Sequence, residues 1–117
     1  MSVNEINRIN LRLQDLQDRQ EQNQRALAEY EQTENHFLEI NNQGEHLFER
    51  LYNVWHEDEE LANAIEYDRL ELQHCKRQIL HDLDSKKNEL MKERQELFYL
   101  EENLYELKRS IERGEDT

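Results

Sequence analysis

Apolar residues recur along this chain at alternating steps of three and four, the spacing that gathers side chains onto one face of an α-helix. Counting from Ile6 gives Ile6, Ile9, Leu13, Leu16, Gln20, Asn23, Leu27, Tyr30, Glu34, Phe37, Asn41, Gly44, Phe48, Leu51 and Trp55, of which ten in fifteen are apolar or aromatic. The count continues in phase through Asp58, Ala62, Ile65, Arg69, Leu72, Lys76, Ile79, Leu83, Lys86, Leu90, Glu93, Leu97, Leu100, Leu104, Leu107 and Ile111. In heptad notation these are the a and d positions of a coiled coil. No stretch sustains the period-two alternation of a strand, so the pattern predicts an all-α fold.

The heptad phase runs through Asn41-Asn42-Gln43-Gly44, which reads as a weak point or kink inside helix one and not as a loop. Its glycine costs about 1 kcal/mol relative to alanine. The turn is placed at Asn53 to Glu60, where the acids would lie in the first turn of a second helix and meet the positive end of its dipole. The expected architecture is an antiparallel two-helix hairpin of coiled-coil type with long arms and a turn near residues 53–60. It forms a single domain over 1–117, with arm one at about 4–54 and arm two at about 59–113.

Facing seam positions in such a hairpin have residue numbers that add up to roughly 120. Glu34 then faces Lys86, Leu13 faces Leu107, Leu16 faces Leu104, Phe37 faces Leu83 and Phe48 faces Leu72. Leu51 against Arg69, Leu27 against Glu93, and Gln20 and Asn23 against Leu100 and Leu97 match poorly. A polar group buried without a partner costs on the order of 1–3 kcal/mol, so the helix pair alone is expected to be marginal. The polar run at residues 14–25, with Gln20 and Asn23 on the seam, reads either as a register-setting stretch or as a polar contact to another chain.

Composition supports the helices. The chain has no proline and two glycines, Gly44 and Gly114, so almost nothing in it punctuates a helix. At 35% hydrophobic and 37% charged residues it resembles long exposed helices more than a compact globule. The net charge is −13, with 5 basic and 12 acidic residues up to Asp58 and 10 basic and 16 acidic after it. A surface so uniformly acidic repels phosphate, which disfavours nucleic acid and an anionic membrane as partners. The apolar runs are too short for a membrane span or a cleavable secretory signal peptide. The expected compartment is the cytoplasm, with which the single Cys75 agrees as weak evidence.

No chemistry-bearing constellation stands out. His36, His46, His56, His74 and His81, with Cys75, contain no pair three or four residues apart, the spacing that puts two metal ligands on one helical face. Solvated histidines are expected, with no metal and no cofactor. The abundant carboxylates lack the dry, concave pocket that general acid–base work requires. Phosphate-binding glycine loops and nucleophile elbows are absent from the sequence, so no catalytic residues and no enzyme activity are expected.

Two apolar stripes exceed what one partner helix needs. The first gathers Phe37, Leu38, Leu47, Phe48, Tyr52 and Trp55, where Trp55 either seals the hairpin tip or anchors a partner. The second is Met91, Phe98 and Tyr105 at the b position, rotated away from the seam where charged residues are usual. These nine residues are the candidate partner-binding set.

An acidic, proline-free helical hairpin with a mid-chain tryptophan resembles the Esx (WXG) class of type VII secretion. It is more closely similar to the small helical accessory proteins of LXG toxins in the type VIIb system. The Esx turn is Trp-x-Gly, whereas Trp55 is followed here by His56 and Glu57. An aromatic followed four positions on by an acid, the secretion-type motif of that class, occurs at Tyr30/Glu34, Tyr67/Glu71 and Phe98/Glu102. Chance supplies about two such matches in a chain of this make-up. Phe98/Glu102 lies where the class carries the motif, near the end of arm two. The resemblance implies a targeting factor or chaperone that binds the helical N-terminal domain of a toxin, with a second small helical protein as a further partner and co-export as an option. A self-associating scaffold, a parallel dimer of one continuous helix about 160 Å long, and a regulatory antagonist are the competing readings.

Overall fold

The computed structural model describes residues 2–114; Met1 and residues 115–117, the ends of the expected 1–117 hairpin, lie outside the described residues. The chain forms two α-helices of 54 residues each, α1 (Ser2–Trp55) and α2 (Glu59–Glu112), which make an all-helical hairpin. Helix α1 runs unbroken through Asn41–Gly44. Residues 56–58 make the turn, inside the 53–60 window set by the sequence.

Local chemistry fixes that turn. The amide of Asp58 donates to the Trp55 carbonyl (3.1 Å), and the Asp58 carboxylate accepts from the Leu61 amide (3.2 Å). Asp58 is therefore the N-cap of α2, satisfying an amide that has no partner within the helix. Glu59 and Glu60 follow in the first turn, where they complement the helix dipole. At the other end, Gly114 adopts φ +74° and its amide donates to the Ile111 carbonyl (3.0 Å). This left-handed residue ends the helix at little steric cost because it lacks a Cβ.

The chain divides into two compact units, one of Met1–Ala28 with Lys87–Thr117 (unit 1) and one of Glu29–Lys86 (unit 2). In unit 1, Ile9, Leu13 and Ile111 form a buried cluster against which Ile6 and Leu104 pack, and Leu16 and Leu97 are buried as well. Asn23 is buried too, and its side-chain amide donates to the Leu90 carbonyl (2.8 Å) and to Glu93 Oε1 (3.1 Å). In unit 2 no described apolar residue is fully buried; its buried residue is the polar Asn41. Arg69 reaches Glu45 (3.4 Å) and Glu66 (3.3 Å), and Gly44 lies close to Leu72. Neither Glu34 nor Lys86, the charged pair expected across the seam, is without an interaction.

Register departs from expectation along the seam. Ile9 and Ile111 share one cluster near the open end, in keeping with a sum of 120. Asn23 instead meets Leu90 and Glu93, Gly44 meets Leu72 and Glu45 meets Arg69, pairs whose numbers add up to 113–116. A turn at 56–58 is centred lower than a turn at residue 60. Asn23 consequently faces Glu93 and Leu90, about one and two helical turns before Leu97.

Candidate functional site

Each helix offers its partner a stripe of side chains, and helix geometry decides what remains outside the stripe. A straight α-helix drifts about 20° per heptad against a strict seven-residue repeat. In α1 the a and d positions stay at least half-buried from Ile6 to Phe48. In α2, Ile65 and Leu72 are half-buried at d, whereas Ile79, Lys86, Glu93, Leu100 and Leu107 are exposed. The next residue along takes their place: Leu80, Lys87, Glu101 and Lys108 are half-buried. The seam thus moves from a/d to a/e, the direction in which the drift carries it. Leu100 and Leu107, read from the sequence as core, stand on the flank of unit 1 at 47% and 46% exposure.

That flank is a groove. Glu5, Arg8, Ile9 and Arg12 line it with Leu107 and Ile111 at one end, and Arg12, Asp15 and Leu16 with Leu100, Asn103 and Leu104 further along. Its floor is apolar, its α2 wall is Leu100, Asn103 and Leu107, and its α1 wall is charged. The heptad count missed it because the count treats the helix as supercoiled without drift. The signal that could have found it is the 3.6-residue period itself, carried over several heptads.

The opposite flank of α2 carries the b-position stripe. Met91, Phe98 and Tyr105 are all exposed. The Arg94 guanidinium lies 5.7 Å from the Phe98 ring centre, a cation–π contact one turn apart on the same helix. A shallow depression beside Phe98 is lined by Gln20, Asn23, Gln24, Leu27 and Arg94, so the polar run of α1 borders this stripe. Glu102, the acid of the candidate motif, is exposed.

In unit 2 the candidate residues divide. Phe37, Leu38 and Phe48 are half-buried on the seam side, whereas Leu47, Tyr52 and Trp55 are exposed. Trp55 is 47% exposed at the last position of α1, so its indole does not seal the tip. Tyr52 lies against His56 with ring centres 5.8 Å apart, and His56 Nδ1 is 3.0 Å from the Asn53 carbonyl oxygen. Phe48, Tyr52 and Ile65 form the apolar side of a cleft whose polar side includes Glu45, Glu66 and Arg69. Hydrogen bonding to Glu45, and then to Glu66, raises the Arg69 pKa further above its ordinary value, so this cation is fixed.

Outside these surfaces, the Glu71 carboxylate one turn along α2 raises the Tyr67 phenol pKa above its usual 10.0, through hydrogen bonding first and then its charge. Cys75 is a free, exposed thiol. Among the described residues no group of three or more His, Cys, Asp or Glu is placed to hold a metal ion, and no helix is long and apolar enough to cross a membrane.

No curated protein and no solved structure matches the chain. A family model described as "Protein of unknown function (DUF3958)" matches residues 4–111, which takes in all but the outer ends of both helices, the turn and every residue of the two candidate stripes. With nearly its whole length covered, the chain belongs to the DUF3958 family of proteins of unknown function.

Proposed function

We propose that this protein is a non-enzymatic helical adaptor, a targeting chaperone that binds the helical N-terminal domain of a secreted LXG-type toxin and helps present it for type VII secretion. The observation that carries the reading is a mismatch between what the hairpin buries and what it leaves out. Among the described residues, five apolar side chains are buried and eighteen large ones are exposed. Single exposed apolar residues are ordinary on any surface, but here Met91, Phe98 and Tyr105 recur at heptad spacing and Leu100 and Leu107 line a groove. An amphipathic helix laid along either flank covers the apolar groups there, and a partner bundle with two such helices covers both. A partner that binds only the folded chain also stabilises it by mass action. The resemblance to accessory proteins of LXG toxins supplies the identity of that partner; the apolar surface supplies only the need for one.

The test is co-expression with the helical N-terminal domain of an LXG toxin, followed by size exclusion and thermal melting. A 1:1 or higher complex that melts cooperatively above the lone chain is the expected result. If no complex forms and the lone chain already melts cooperatively at high temperature as a monomer or homodimer, a self-sufficient coiled coil replaces this reading.

A further inference from the structure

The groove on the flank of unit 1 has a wall chemistry that selects its occupant. Along α1 its wall reads Glu5, Arg8, Arg12, Asp15, a charge order of minus, plus, plus, minus at helical spacing. Asp15 is held by Arg19 at 3.3 Å, whereas among the described residues Arg8 and Arg12 take part in no ion pair. The first 58 residues hold 5 basic side chains against 12 acidic ones, so two uncompensated cations beside the same apolar groove are conspicuous. The facing wall of Leu100, Asn103 and Leu107 carries no charge that could answer them.

We propose that this groove receives one amphipathic helix of a different protein, whose apolar stripe covers Leu100 and Leu107 and whose carboxylates, four residues apart, pair with Arg8 and Arg12. The proposal deepens the reading of this chain as a subunit of a helical assembly and rests on it for the existence of a partner. A second copy paired about the middle of this groove is disfavoured on grounds of symmetry. A two-fold dimer sets the same patch against itself. With the helices crossing antiparallel about this groove, Arg8 would meet Arg12 and Glu5 would meet Asp15. With the axis along the helices, each residue would meet its own twin. Both arrangements place like charges together, which destabilises the contact, whereas a foreign helix can set its carboxylates opposite Arg8 and Arg12.

The experiment uses the full chain and two synthetic helical peptides of about 20 residues with identical leucine stripes. One carries a glutamate pair four residues apart beside the stripe; the other carries lysines at those positions. Binding is read by fluorescence anisotropy at about 0.15 M ionic strength, where the net charge of the chain is screened beyond about 8 Å and local pairs are felt. The glutamate peptide is expected to bind at least about five-fold more tightly, as two exposed ion pairs allow. The Arg8→Glu/Arg12→Glu variant, which alters two exposed side chains and whose helicity is checked by circular dichroism, is expected to reverse that preference. Leu107→Glu is expected to weaken both peptides. Failure of the glutamate peptide to bind the native chain, or an unchanged preference in the charge-reversed variant, overturns the proposal. So does sedimentation of the native chain as a dimer that Leu107→Glu dissociates, which would give the groove to a second copy. The same charge-reversed variant mixed with a toxin N-terminal domain separates the two readings. Equal binding of that domain to native and reversed chains removes the groove assignment alone. Peptide discrimination without any toxin binding removes the toxin alone.

Discussion

Asn23 carries the clearest residue-scale argument, because it is buried at a seam position and still makes two hydrogen bonds, to the Leu90 carbonyl at 2.8 Å and to Glu93 at 3.1 Å. A satisfied amide in a helical seam fixes register, since sliding either helix by one turn strands it. Asn23→Ala is expected to lower stability by about 1–2 kcal/mol in urea denaturation, the cost of losing these bonds and leaving the Glu93 carboxylate without its donor. An unchanged midpoint would remove Asn23 from that role. Gly44 gives the opposite expectation. A Cβ built there would sit 3.5 Å from Leu72 Cδ2, an ordinary contact, and the residue lies within an unbroken helix. Gly44→Ala should therefore raise stability by roughly 0.5–1 kcal/mol through helix propensity. A fall would mean that Leu72 needs the space.

At the scale of the element, the two long helices and their turn were legible from period and composition alone. The a and d positions of α1 lie on its buried stripe from Ile6 to Phe48, and Asp58 with its two following glutamates marks the start of α2. What the heptad count could not carry was the drift of α2, because a seven-residue count assumes the supercoil that would cancel it. Leu100 and Leu107 were therefore read as core, and Asn23 was matched with Leu97 instead of Leu90 and Glu93. Of the nine candidate partner residues, Leu47, Tyr52, Trp55, Met91, Phe98 and Tyr105 are exposed, whereas Phe37, Leu38 and Phe48 lie half-buried where a single sequence cannot separate the seam from its shoulder. The drift has a consequence that the heptad count denies. Leu97→Ala, at a fully packed position, is expected to cost about 2–4 kcal/mol, whereas Leu107→Ala should cost less than about 1 kcal/mol and act on partner binding. Chemical denaturation of the two variants side by side checks this. Equal losses would return Leu107 to the core and close the groove.

For the molecule as a whole, the distribution of buried apolar surface matters more than its total. All five buried apolar residues, Ile9, Leu13, Leu16, Leu97 and Ile111, belong to unit 1, and none of the described residues of unit 2 joins them. Unit 2 is held by half-buried contacts and by the Glu45–Arg69–Glu66 group, whose partly exposed ion pairs contribute little. Regions with few buried apolar contacts open first, so unit 2 should exchange its amide hydrogens faster than unit 1 in the free chain. This division was not legible in the sequence, where the most apolar stretch, around Phe37 to Trp55, falls in the unit without a buried apolar residue. Many of its apolar groups lie off the seam, and residues that face away from the neighbouring helix add hydrophobicity without adding core. The central claim is that another helical protein completes this surface. Hydrogen exchange followed by mass spectrometry, on the chain alone and with an LXG-toxin N-terminal domain, tests it most directly. The account predicts rapid exchange across residues 37–55 in the free chain and strong protection there and across 91–107 once the partner is added. Slow exchange throughout the free chain, unchanged by the toxin domain, would contradict it.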